Sequence, residues 1–249
     1  MAIVFSKRIG GIRYEVRTAG RSVRLYTDGV MHTQYHPGLQ LTRGVWDLLA
    51  LPALALPRVQ RVLLLGVGGG AAIHLLRQWC PGVEIVGVEL NPVHLQLARR
   101  YFGLRARDVE LIAGDARDYV ERYRGKPFDL VIEDLFGGSG FPDRSFAADY
   151  RWCTALGKLV QPQGALVINT LSPAQLRQTA LRADGRLRRQ WPTALRLTLP
   201  AYANNVGVFS RSRISAADLR RAIRADPLRR QQERSGSLRY RIAEESYSP

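Results

Sequence analysis

The chain has 249 residues, enough for one α/β domain with a small appendage and too few for two full domains. Hydrophobic residues make up 46% of it, which excludes global disorder, and the longest apolar stretch, around Leu48 to Leu56, is broken by Pro52 and too short to span a bilayer. The formal net charge of +16 suits an acidic partner such as RNA, but only Lys7, Lys126 and Lys158 are lysines; an excess carried by arginine reads more simply as codon bias, so nucleic acid is the less favoured partner.

In chain order, the first 35 or so residues read as β-rich. Ile12 to Thr18 and Ser22 to Thr27 alternate or carry β-branched and aromatic residues, Ala19-Gly20 suits the turn between them, and Asp28-Gly29 suits a second turn before Val30 to Gln34. A small hairpin domain over residues 1–36 is expected, with Pro37-Gly38 closing it. Residues 37–60 form a connection whose centre, Val45 to Leu56, reads as a helix. Lys7 and Arg8 follow the brief apolar start instead of preceding it, unlike a secretory leader, so a cytoplasmic protein without a membrane segment is expected.

From Arg61 the pattern becomes alternating short apolar runs and amphipathic stretches, the signature of βαβ units and a parallel sheet. Strands are expected at Val62 to Leu65, Val83 to Val88, Val109 to Ile112, Phe128 to Ile132 and Ala165 to Asn169. Helices are expected at Ala71 to Trp79, Pro92 to Phe102, Phe146 to Val160 and Pro173 to Gln190, with Gln161-Pro162-Gln163-Gly164 as a turn. Ala194 to Leu199 and Val206 to Ser210 suit closing antiparallel strands, which ends this domain near residue 212. Ser215 suits the N-cap of a last helix through Ile223, and the rest of the 213–249 segment reads as a fraying basic tail.

Chemistry collects at the expected strand ends. Gly66-Val67-Gly68-Gly69-Gly70 follows the first strand and opens a helix, so a ligand can approach its backbone closely; Gly66, Gly68 and Gly70 are the candidate contacts. Glu89 ends the second strand, about 20 residues on, where a carboxylate accepts from both hydroxyls of a ribose. Gly114-Asp115-Ala116 follows the third strand: Asp115 suits an adenine amino group and Ala116 leaves room for the ring, while Asp115 equally suits a helix N-cap. Asp134 ends the fourth strand, with Glu133 pointing to the other face, and the glycine-rich loop from Phe136 to Pro142 follows as a potential cover for the pocket. His32 and His36 are the histidines placed to face a cleft, whereas His74 and His94 read as structural or exposed. Trp46 and the other tryptophans read as core or interface residues. No metal-ligand spacing stands out, and no metal is expected.

The stretch VLLLGVGGGAAIHLLRQWCPGVEIVGVELNPVHLQLARRYF, then GDARDYV, then PFDLVIEDLFG, resembles the spermidine synthase superfamily, and SVRLYTDGVMHTQ resembles the amino-terminal hairpin of that family. The resemblance implies an α/β fold, a Rossmann-like class I methyltransferase sheet with a small N-terminal β-hairpin domain, often as a homodimer. It implies a nucleoside thioether or sulfonium in the cleft, with Glu89 on the ribose, Asp115 and Ala116 at the adenine, and Asp134 as the acid facing an amine. Gly69 stands where aminopropyltransferases of this family carry Asp, Gly137 where they carry the second acid after strand four, and His32 where the hairpin carries Gln. With those acids absent, the diamine slot loses the groups that replace lost hydration. The glycine loop without Asp and the stretch from Asn204 to Phe209 resemble the spermidine-synthase-like methyltransferases, including a group that modifies a translation elongation factor. The leading expectation is therefore an S-adenosylmethionine-dependent methyltransferase with a small-molecule or protein acceptor, with His32 and Phe136 on the substrate side. The alternatives are an aminopropyltransferase using decarboxylated S-adenosylmethionine at an altered amine site, and a non-catalytic nucleoside- or RNA-binding module.

Overall fold

The computed structural model describes residues 1–107, 109–137 and 143–245. The chain starts with β1 (Ala2–Ile9), β2 (Ile12–Ala19), β3 (Ser22–Thr27) and β4 (Val30–Tyr35), which pair in that order as an antiparallel sheet. The expected hairpin is thus a four-stranded sheet, extended by β1 at one edge. Asp28 and Gly29 both have positive φ, the geometry that a tight turn needs to follow the twist of its flanking strands. The sheet buries Tyr14, Val16 and Leu25 against Leu97 and Phe102 of the main domain.

A short helix α1 (Val45–Ala50) and a 3-10 turn (Leu51–Ala55) lead into the main domain. Here β5 (Arg61–Leu65), α2 (Ala71–Trp79), β6 (Glu84–Glu89), α3 (Pro92–Tyr101), β7 (Glu110–Ala113), α4 (Ala116–Arg122) and β8 (Phe128–Glu133) alternate. A two-residue pair, β9 (Phe136–Gly137) with β10 (Asp143–Arg144), precedes α5 (Tyr150–Lys158) and β11 (Val160–Thr170). Then come α6 (Pro173–Gln178), α7 (Ala180–Ala183), α8 (Gly185–Gln190), β12 (Thr193–Thr198), β13 (Asn205–Ser210), α9 (Ala216–Ala225), α10 (Pro227–Arg234) and β14 (Arg241–Glu244).

The eight-stranded sheet runs β14-β12-β13-β11-β8-β5-β6-β7. From β7 to β11 it is parallel; β13 is antiparallel to both its neighbours, and β14 is antiparallel to β12. Strand side chains alternate between two cores, as the two-residue period requires. Val62, Leu64, Leu130, Ile132 and Val167 face α1, α2 and α9, while Leu63, Leu65, Val131, Leu166 and Ile168 face α5 and Trp191. Both faces are covered, which is why these strands read as continuous apolar runs. The chain therefore has an α/β fold with a Rossmann-like class I sheet. Among the described residues, no helix is long and apolar enough to cross a membrane.

Four expectations need correction. The turn expected at 161–164 is part of β11, as a break in register between Val160 and Ala165. The helix expected from Phe146 starts at Tyr150, because the Asp149 carboxylate accepts from the Trp152 N–H at 2.8 Å and caps it there. The single helix expected over Pro173 to Gln190 is three short ones, interrupted where Thr179 bonds the Leu176 carbonyl and Asp184 accepts from the N–H groups of Arg186 and Leu187. The tail expected to fray is also ordered as far as Glu245: Asp226 and Pro227 start α10, and β14 adds an edge to the main sheet. Glu245 anchors it there through Arg182 and Arg196.

Candidate functional site

The carboxyl ends of β5, β6, β7, β8 and β11 open into one cavity of about 610 Å³. Parallel strands joined by right-handed crossovers leave their ends on one edge, which is where open α/β sheets place ligands. The hairpin sheet roofs the cavity through Gly29 to His32, and the segment around Tyr202 and Asn204 closes one side. Of the residues singled out in the sequence, Gly66, Gly68, Glu89, Asp115, Ala116, Asp134, His32 and Phe136 all line it. Gly70 does not; it caps α2 at φ +81°, and a Cβ there would stand 2.2 Å from Leu104, so its role is packing. His36 is also outside, bridged to Leu41 with its Nδ1 accepting from the Leu39 N–H. The segment 138–142 of the glycine-rich loop lies outside the described residues.

Gly66 has φ +88°, and a Cβ on it would stand 2.1 Å from the carbonyl oxygen of Asp134. Strands β5 and β8 are adjacent and Asp134 donates its N–H to the Leu65 carbonyl at 2.8 Å, so only a residue without a side chain lets the loop turn beside Asp134.

Glu89 is 8% exposed at the end of β6. Its Oε2 accepts from the N–H groups of Val67 and Gly68 at 2.9 and 2.8 Å, its Oε1 accepts from the Asn91 N–H at 2.9 Å, and His94 Nδ1 stands 3.6 Å from Oε1. Burial works against its ionisation, but the His94 contact and the backbone N–H groups outweigh burial and hold its carboxyl below the usual range. A carboxylate has about four acceptor positions. Three are taken by the N–H groups and His94 Nδ1 stands against the fourth, so Glu89 is the clamp of the glycine loop, and a ribose hydroxyl there would share Oε1 with His94, where the sequence suggested that both hydroxyls bind freely.

Asp115 is the N-cap of α4: its Oδ1 accepts from the Arg117 N–H at 2.7 Å. The Arg117 side chain bonds it too, and this is the chief reason its carboxyl lies below the usual range. Arg117 also lies over the Phe146 ring, 5.0 Å from its centroid. Both oxygens of Asp115 thus have partners from a residue that itself lines the cavity.

Asp134 and Glu133 diverge as strand alternation requires. Glu133 is fully buried on the far side, paired with both Arg144 nitrogens at 2.6 and 2.9 Å and accepting from Trp152 Nε1 at 3.3 Å. Asp134 faces the cavity and, among the described residues, has one side-chain donor, Asn169 Nδ2 at 2.7 Å. Asn169 in turn accepts from Asn204 Nδ2 at 3.0 Å. Burial raises the Asp134 pKa to about 7; the Glu133 and Glu89 charges add to the rise, while Asn169 and Arg144 oppose it.

Sequence reasoning missed several lining residues, among them Asn169, His94, Trp46, Arg117 and Tyr202. Asn169 ends β11 at the same carboxyl edge, so its position was a signal, although a neutral side chain gives no pattern. His94 is 5% exposed, not surface: Nε2 lies 2.8 Å from Thr27 Oγ1, and the ring is 4.8 Å from that of His32. Trp46, Arg117 and Tyr202 line the cavity as well, though nothing in their local sequence marks them. Among the described residues, Arg117 is the only arginine or lysine that lines the cavity. A cluster of arginines, Arg220, Arg221, Arg224 and Arg230, lies instead on α9 and α10, where Arg221 and Arg224 pair with Asp218 and Glu233. Among the described residues, no group of three or more His, Cys, Asp or Glu is placed to hold a metal ion.

Residues 62–164 match a methyltransferase domain family. A polyamine aminopropyltransferase from Vibrio vulnificus is 32% identical over 123 residues, covering 48% of this chain and 40% of the relative. A Drosophila melanogaster homolog of the eEF1A lysine and N-terminal methyltransferase is 27% identical over 155 residues, covering 58% of this chain and 22% of the relative. The chain thus spans less than half of the length of either relative. Among solved structures, a probable spermidine synthase from Corynebacterium glutamicum superposes with a TM-score of 0.71 at 18% identity, over 90% of this chain and 88% of that one.

Proposed function

We propose that this chain, which has the spermidine-synthase-like class I methyltransferase fold, binds S-adenosylmethionine and directs its methyl group to a single amine, on a small molecule or a protein. The observation that carries this reading is Asp134: it is the acid on the β8 side of the cavity, half-buried, with a raised pKa and one amide donor. The glycines and the acids of the cradle favour a nucleoside. Side chains at Gly66 and Gly68 would fill the space next to Asp134 and His32, Glu89 lines the cavity beside His94 as the acceptor for a ribose hydroxyl, and Ala116 leaves room beside Asp115 for a base.

When bound, the cofactor supplies a methyl group activated by a sulfonium. The protein's own part is positioning and proton handling. Asp134 holds the acceptor ammonium by charge and takes its proton, which frees the nitrogen lone pair for in-line attack. A carboxylate near pH 7 is closer to an alkylammonium of about 10.4 than an ordinary one, which eases that transfer. Asn169 keeps the carboxylate turned to the cavity, and Trp46, Phe136 and Tyr202 wall it with aromatic surface that favours a cation. One acid suits one ammonium. Gly69 and Gly137 bring no second acid, and this is the reason for placing aminopropyl transfer to a diamine second. The likeness to the Vibrio aminopropyltransferase keeps that second reading. We also assign the protein to the cytoplasm, as a homodimer. Incubation with labelled S-adenosylmethionine and a cell extract tests the reading: label in an amine or lysine, lost in Asp134→Asn, is expected, whereas spermidine formation from putrescine would favour the second reading.

A further inference from the structure

The glycine loop keeps its own donors occupied. Val67 and Gly68 donate to Glu89, Gly69 donates to Thr33 Oγ1 at 2.6 Å, and Gly70 donates to the Val67 carbonyl at 2.8 Å. A carboxylate entering the cavity therefore has no N–H of residues 67–70 to bind. It needs a side chain, and among the described residues the lining offers one guanidinium, Arg117, and two imidazoles, His32 and His94. Arg117 is turned to Asp115 and Phe146. His94 has Thr27 on one nitrogen and Glu89 beside the other. His32 is different: it lines the cavity, its ring rests against that of His94, and neither of its nitrogens has a hydrogen-bond partner among the described residues.

Its place along the sheet is specific. On the nucleoside reading, with the base at β7 and the ribose at β6, the 5′ substituent would run over β5, the strand between β6 and β8. The hairpin backbone at His32 stands over the glycine loop, its carbonyl oxygen 2.8 Å from the position a Cβ on Gly68 would take, while the ring lines the cavity against His94. We propose that His32 receives the carboxylate of the amino-acid tail, so that the pocket selects S-adenosylmethionine over its decarboxylated form. This rests on the nucleoside reading above. It assigns to His32 a specificity role for the cofactor, beside the acceptor role of Asp134.

The electrostatics agree. Burial first, then the charge of His94 from α3, lower the His32 pKa to about 4, while Glu89 on β6 opposes them. The empty imidazole is thus neutral at pH 7. A carboxylate against it raises that pKa, so binding takes up a proton.

Titration calorimetry at about pH 6, in two buffers of different ionisation enthalpy, reads both affinity and proton uptake. The ligands are S-adenosylmethionine and decarboxylated S-adenosylmethionine, which differ by the carboxylate alone, with methylthioadenosine as a tail-less reference. The expected result is a preference of about tenfold or more for the carboxylated ligand, the worth of one charged hydrogen bond, with proton uptake for that ligand only. His32→Gln, which keeps a donor but does not titrate, is expected to abolish the uptake and reduce the preference, leaving methylthioadenosine affinity unchanged. Equal affinity for the first two ligands, or a preference and uptake that survive in His32→Gln, overturns the assignment while methylthioadenosine still binds. Failure of all three to bind folded protein overturns the nucleoside reading and this assignment with it.

Discussion

Asn169 Nδ2 donates to Asp134 Oδ1 at 2.7 Å across the gap between β11 and β8. The bond favours the ionised carboxylate against its burial. Removing it in Asn169→Ala should raise the Asp134 pKa above about 7 and move the acidic limb of the pH–rate profile to higher pH. Nucleoside affinity should stay the same. A profile that does not move would mean that Asn169 only shapes the loop.

Asp134→Asn should keep nucleoside affinity and lower the rate with an amine acceptor by roughly 10²–10⁴-fold, because the amide keeps the shape but takes no proton. Stability should change in the opposite sense. A folded pKa of about 7 against an ordinary 3.8 means that the stability Asp134 lends is present below about pH 4 and lost as pH rises through about 7. Asp134→Asn should therefore melt higher than the parent at pH 8 and like it at pH 4, by about 2–4 °C for each kcal/mol recovered. Differential scanning calorimetry at the two pH values checks the sign.

The two absent acids are not equivalent. A Cβ at Gly69 would stand 2.9 Å from Thr33 Cγ2 and 3.0 Å from Phe102, whereas at Gly137 the nearest atom among the described residues is Ser145 Oγ at 3.6 Å. Gly69→Asp should cost stability and restore no diamine site. Gly137→Asp should fold normally and raise diamine affinity. Thermal melts and putrescine titrations of both variants separate these outcomes.

Gly66→Ala should abolish nucleoside binding and activity together. It places a side chain at φ +88°, 2.1 Å from the Asp134 carbonyl, and strain of about 1–2 kcal/mol from the backbone alone adds to the collision. A melting curve and a binding titration on the same preparation check it; a variant that binds as the parent does would mean the loop is not part of the cradle.

The strand ends were legible because fully buried parallel strands leave apolar runs, and the acids that end them stand out against those runs. Glu89, Asp115 and Asp134 were found that way. What each acid already bonds was not legible. The Val67 and Gly68 N–H groups that fill Glu89, and the Arg117 side chain that holds Asp115, depend on loop geometry that no spacing encodes. Asn169 occupies the same kind of strand end but carries no charge to mark it. Trp46 and Tyr202 come from connecting segments, and their approach to the cavity is set by how the hairpin sheet and the β12–β13 connection close over it. The arginine-rich C-terminus was misread for a different reason: its composition suggested a tail, while Asp226, Glu233 and Glu245 supply the cap and ion pairs that order it.

The most direct test of the nucleoside pocket is a calorimetric titration of the folded protein with S-adenosylmethionine, beside its Glu89→Ala variant. Saturable binding is expected, weakened in the variant by about 1–3 kcal/mol, the cost of leaving buried donors unpaired. That loss falls on the Val67 and Gly68 N–H groups as well as on the ligand. No heat from either S-adenosylmethionine or methylthioadenosine would contradict the account, and tight binding of NADH in their place would show that the cradle holds a dinucleotide.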